Sequence, residues 1–153
     1  MKNNKCCIVA LSIVLVGILF SGCSNGVPKP AVITSKEIAD QKKVIKEYYQ
    51  AINHGKYRAA YNLTTVNYQR GTSYENFVYQ YKAYINKVKI TSIERQTQYS
   101  DKDNGVFYVT FKATYKQKYP YGDGGLPGVH VLQRENKGST IWKIDSIGVG
   151  QLG

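Results

Sequence analysis

The sequence predicts an α+β domain in which N-terminal helices pack on one face of an antiparallel sheet. Two observations lead there. Apolar residues recur at helical spacing from Ile38 to Ile85, and after Lys87 the period drops from about 3.6 to 2. Helices come first and strands after, which is the order of an α+β layer rather than of alternating strand–helix–strand units. A domain of roughly 120 ordered residues can bury about two-thirds of its unfolded surface, enough for a core of its own.

The chain of 153 residues opens with a segment outside that domain. Lys2 and Lys5 form a basic start, Cys6 to Phe20 an apolar run, and Ser21, Gly22 and Cys23 a small-residue cleavage region. The run is about 15 residues, where a membrane span needs roughly 20, so residues 1–22 read as a signal peptide. Leu19-Phe20-Ser21-Gly22-Cys23 resembles a lipobox, although Phe20 stands where Leu, Val or Ile is usual. That resemblance implies cleavage between Gly22 and Cys23 and lipid modification of Cys23. Two acyl chains, typically palmitoyl, would anchor stably where one gives only marginal binding. Residues 23–34 then read as a lipidated cysteine and a tether, with Pro28 and Pro30 opposing regular structure. Residues 35–153 form the single domain.

The first helix starts at a capping box, Thr34 with Glu37 three residues on. Ile38, Ile45, Tyr48, Tyr49 and Ile52 make its stripe, and Asn53-His54-Gly55 ends it. A short helix carries Tyr57, Ala60 and Tyr61. A second capping box, Thr72 with Glu75, opens a third helix with the stripe Tyr74, Phe77, Val78, Tyr81 and Ile85, continuing towards Val88. Val88 to Tyr99 reads as the first strand, and Asp101 to Gly105 as a turn. Gly105 to Lys118 alternates most clearly, with Phe107, Val109, Phe111, Ala113 and Tyr115 facing one way. A loop rich in Gly and Pro runs from Tyr119 to Gly128. Val129 to Arg134 and Thr140 to Ile147 close the chain as a hairpin.

This order resembles the nuclear transport factor 2-like superfamily, which shares its curved, cone-shaped sheet with cystatin-like proteins. The resemblance rests on Tyr48-Tyr49-Gln50-Ala51-Ile52, on Tyr57-Arg58-Ala59-Ala60-Tyr61 after a Gly turn, and on Trp142-Lys143-Ile144-Asp145. Similar domains occur in small lipoproteins of Gram-positive bacteria, in N-terminal extensions of some penicillin-binding proteins and in conjugation-channel components. Enzymes of the superfamily place acid and base groups inside the cone.

The chemistry-bearing residues are few. No cysteine follows Cys23, so the mature domain has neither a disulfide nor a thiolate. Its two histidines are His54, beside a helix-ending glycine, and His130, in a predicted strand; His130 is the weak candidate base. Asp101, Asp103 and Asn104 form an ordinary hairpin turn that lacks the further ligands of a calcium loop. No metal and no cofactor are expected. All 14 tyrosines follow the signal segment, and Tyr68, Tyr79, Tyr84, Tyr99, Tyr108, Tyr119 and Tyr121 fit no core stripe. The exposed loop with Tyr119, Tyr121 and Asp123 is the candidate contact site.

Removing Lys2 and Lys5 leaves 19 basic against 10 acidic residues, a net charge of +9. That excess favours anionic lipid or an anionic envelope polymer; nucleic acid is not expected for an exported domain unless it serves a DNA-transfer machine. The expectation is a non-catalytic binding or scaffold domain of the cell envelope, on the outer face of the membrane. The alternatives are an enzyme or small-ligand carrier using the cone, and an immunity or exclusion lipoprotein or conjugation-channel accessory. The positive charge opposes capture of cationic peptides.

Overall fold

A computed structural model describes residues 33–116 and 128–149. Helix α1, Ser35–Asn53, begins where the sequence places it. The Glu37 N–H donates to Thr34 Oγ1 at 3.2 Å, and the Thr34 N–H donates to Glu37 Oε2 at 2.9 Å. These reciprocal bonds satisfy helix-end donors that have no intrahelical acceptor. The other Glu37 oxygen accepts from Arg134, so the start of α1 is tied to the end of a distant strand. The Thr34 backbone bond, followed by the Arg134 bond, holds the Glu37 carboxyl down to about 2. At the other end Gly55 takes φ +67°, a left-handed conformation that favours glycine. His54 is exposed there and its Nδ1 donates to the Gln50 carbonyl at 2.7 Å.

Helix α2, Tyr57–Asn62, buries Ala60 and Tyr61 against α1. Helix α3, Val66–Gly71, was not expected. Its residues carry no apolar stripe, none of them is buried, and one short turn cannot display a period. Thr65 builds it by accepting from the Tyr68 N–H at 3.2 Å and donating to Asp145 at 2.7 Å.

Helix α4, Tyr74–Tyr84, corrects the expected start and end of the third helix. The cap is Ser73, whose Oγ accepts from the Asn76 N–H at 3.2 Å, and not Thr72 with Glu75. Thr72 instead ends α3, and its carbonyl accepts from Tyr61 Oη at 2.7 Å. Ile85 leaves the helix because it pairs with Tyr115, so strand β1 is Ile85–Arg95 rather than Val88 to Tyr99. Ile85 and Val88 keep the three-residue step of a helical stripe, which β1 accommodates through the register irregularity between Ile85 and Lys87, so only the pairing decides. Thr97–Tyr99 is a short 3-10 turn.

Strand β2, Asn104–Tyr115, has the predicted alternation, burying Phe107, Val109 and Ala113. Val106 is buried as well, because Ser100 folds over it and accepts its N–H at 2.9 Å. Strands β3, Gly128–Arg134, and β4, Trp142–Val149, form the closing hairpin, whose turn places Gly138 at φ +80°. The sheet is antiparallel, curved and unclosed, in the order β1-β2-β3-β4. Register irregularities at Ile85/Lys87, Ile90/Ser92 and Val131/Leu132 bend it.

The helices cover one face, as predicted. Ile45, Tyr48, Tyr49 and Ile52 of α1 and Phe77 of α4 meet Val88, Phe107, Leu132, Trp142 and Ile144 from the sheet. Trp142 is buried and stacks under the Arg134 guanidinium at 4.4 Å. Phe111 also points to the helix side but is only half-buried, a correction with a consequence for the site described next. Gln41 continues the buried stripe of α1, and neither of its amide atoms has a hydrogen-bond partner among the described residues.

Candidate functional site

Between α4 and the sheet lies a cleft of about 640 Å³. The turn spacing of α4 presents Asn76, Gln80 and Tyr84 along one side of it, with Tyr79 and Tyr81 beside them. The sheet contributes Ile85, Val88, Phe111, Tyr115 and Ile147, and α1 contributes Tyr49. Phe111 is half-buried because its ring forms part of this wall. Among the described residues no acidic, basic or histidine side chain lines the cleft, so the recognition chemistry they supply is aromatic surface, phenol hydroxyls and two side-chain amides. Pockets of several hundred Å³ with apolar walls and a few polar groups are the usual form of ligand sites.

Two hydrogen-bonded tyrosine contacts underlie it. Tyr48 and Tyr81 share a bond of 2.7 Å between their hydroxyls, and their rings pack edge to face at 6.1 Å. Burial raises both phenols' pKa above the ordinary value, so they remain protonated. Tyr49 reaches across to β3 and lies 2.8 Å from His130 Nε2. His130 Nδ1 is 3.3 Å from the Gly128 carbonyl, which can only accept. Nδ1 therefore carries the proton, and Nε2 accepts from the Tyr49 hydroxyl.

His130 has no exposed surface, and burial pushes its pKa down to about 4, against a smaller opposing effect from the Gly128 bond. At neutral pH it is an uncharged imidazole whose one acceptor is occupied by a phenol. It lies behind Tyr49 and does not line the cleft. A general base works best with a pKa near the working pH and within reach of substrate, whereas His130 is pushed down to about 4 and stands behind Tyr49.

The other sequence-derived sites separate. Gly22 and Cys23 lie outside the described residues, as do Tyr119, Tyr121 and Asp123. His54 stays at the exposed end of α1 and does not line the cleft. The Asp101 carboxylate is used within its turn, accepting the N–H groups of Asp103 and Asn104 at 2.7 Å each. Among the described residues no group of three or more His, Cys, Asp or Glu is placed to hold a metal ion. Tyr79 and Tyr84, which fit no core stripe, are on the cleft, whereas Tyr68 packs half-buried on Phe77. The off-stripe position of Tyr79 and Tyr84 was the visible signal for this site. The Tyr49–His130 contact left none, because 81 residues separate the two.

The described residues thus define an α+β domain with an uncharged aromatic cleft. Residues 42–148 match the profile of the domain of unknown function DUF4829, and the chain belongs to that family. No curated protein matches the chain.

Proposed function

We propose that the chain is a lipid-anchored lipoprotein whose extracytoplasmic domain binds a partner without catalysing a reaction. The observation that supports this most directly is the cleft itself, aromatic and uncharged, with the nearest imidazole neutral and bonded away from it. Such a surface holds an apolar or aromatic group by burial and edge-to-face contact, aided by the amides of Asn76 and Gln80. The Ser21-Gly22-Cys23 junction supports attachment through Cys23, and the net charge of +9 after its cleavage favours an anionic membrane or wall surface. A small-ligand carrier is the second reading, favoured by the cleft volume of about 640 Å³.

Two experiments test the proposal. Radiolabelled palmitate should enter the wild-type protein and not Cys23→Ala, which should accumulate as precursor or be shed. Processing and membrane retention of Cys23→Ala would refute the anchor. For the domain, a strain lacking the gene is complemented with variants shown to be folded. Tyr79→Ala/Gln80→Ala should fail to complement, because it strips the rim of the cleft, while His130→Gln should complement. The reverse pattern would replace the binding reading with an acid–base enzyme.

A further inference from the structure

The open side of β1 is a second surface, beside the cleft, with which its groove shares Tyr49 and Val88. In the order β1-β2-β3-β4, β1 has a strand neighbour on one side only among the described residues. The opposite edge strand, β4, is partly covered: Thr65 N–H donates to the Ile144 carbonyl at 2.8 Å and Ile144 N–H to the Leu63 carbonyl at 2.9 Å. An edge strand offers N–H and C=O groups at alternate residues, a template for another extended chain.

The start of that template is already in use. Asn53 Nδ2 donates to the Val88 carbonyl at 2.7 Å, and the Val88 N–H donates to Asn53 Oδ1 at 2.8 Å. These are the two bonds a neighbouring strand would make with Val88, supplied here by a side-chain amide at the end of α1. They also fix which residues of β1 turn outward. Ile90, opposite Phe111, follows Val88 in the same phase. The irregularity between Ile90 and Ser92 resets the alternation, so the next outward residue is Ile93, opposite Val109.

Beyond Asn53 the outward groups border a groove of about 510 Å³ between β1 and α1. Its helical wall carries Lys42, Lys46 and Gln50, a stripe repeating every four residues that ends near Asn53. None of the ion pairs among the described residues uses Lys42, Lys46, Lys87 or Lys89. Pairing of two copies through β1 would set these lysines against one another, and like charges across a strand pair destabilise it. An acidic chain reverses that sign.

We propose that the edge of β1 from Ile90 to Arg95 takes an extended acidic polypeptide segment as an added strand, with its backbone paired to Ile90 and Ile93 and its carboxylates facing Lys42 and Lys46. The mode is strand addition, in which main-chain bonds supply affinity and side chains supply selectivity. Charge steers the encounter, so binding weakens as salt rises.

The probe is an N-acetylated, C-amidated octapeptide of alternating Glu and Val, added to the full chain in neutral detergent and followed by hydrogen exchange. At saturation the amides of Ile90 and Ile93 should exchange at least tenfold more slowly. Lys42→Glu/Lys46→Glu should weaken the peptide at least tenfold with an unchanged melting temperature. An octapeptide of alternating Lys and Val should not bind the wild type, and N-methylation of every second amide of the Glu-Val peptide should abolish binding. Equal binding by the N-methylated peptide would reduce the site to a charge contact and overturn the proposal. So would slow exchange at Ile90 and Ile93 that depends on protein concentration alone, which would identify a second copy as the occupant. Binding of phosphatidylglycerol vesicles through Lys42 and Lys46, with no binding of the peptide, would assign the surface to lipid and sink it equally.

Discussion

Tyr49 and His130 meet inside the core, and the cost of charging an imidazole there makes the domain acid-sensitive. His130 titrates at about 4 when folded against 6.5 when unfolded. Between those values the unfolded chain binds the extra proton, so stability is lost as pH falls from 6.5 to about 4 and is level below that. A displacement of that size corresponds to about 3 kcal/mol. Glu37 acts in a lower window: its carboxyl is depressed from 4.5 to about 2, so its contribution is present above 4.5 and is lost as pH falls towards 2. Melting temperatures at half-unit pH steps should therefore fall in two stages. His130→Gln should remove the upper stage and leave the lower; retention of both would mean that His130 is not the buried titrating group.

At the scale of elements, cap chemistry decides where α4 begins. Ser73 supplies the oxygen that accepts the Asn76 N–H, so Ser73→Ala should cost about 1 kcal/mol. Thr72 contributes its carbonyl to Tyr61, a bond that its side chain does not make. Thr72→Ala should therefore stay within about 0.5 kcal/mol of wild type. Urea midpoints of the two variants check this, and an equal or larger loss for Thr72→Ala would restore the capping box read from Thr72 and Glu75. Adjacent Thr and Ser are both competent caps, and Glu75 stands at the right distance for the first. Only the path of the chain out of α3 selects the second.

Across the whole molecule, the closing hairpin holds helices and sheet together. Trp142 is 3% exposed, sits under Arg134, and belongs to the same core cluster as Tyr48 and Phe77. Trp142→Ala should cost about 3–5 kcal/mol, a large share of the 5–15 kcal/mol typical of a domain. Phe111→Ala should cost clearly less, about 2 kcal/mol, because one side of its ring borders the cleft and already lacks packing partners. Equilibrium urea unfolding measures both. Equal losses would mean that Phe111 is packed as fully as Trp142 and that the cleft is not open at that wall.

The sequence by itself determined the elements whose signals are local. The box of Thr34 and Glu37, the stripe from Ile45 to Ile52, the left-handed Gly55 and the alternation from Phe107 to Ala113 each depend on residues within a few positions of one another, and each is found in the structure. The α+β order followed from them. Tertiary structure decided everything that needed a distant partner: Ile85 became a strand residue through Tyr115, and Phe111 became a cleft wall through α4. His130 became a neutral core residue through burial when α1 packed on the sheet, and β1 became an open edge because no other strand lies beyond it among the described residues. Helical period, caps and alternation act between neighbours and are written into the chain. Burial and pairing are properties of surfaces brought together only when α1, α4 and the sheet pack.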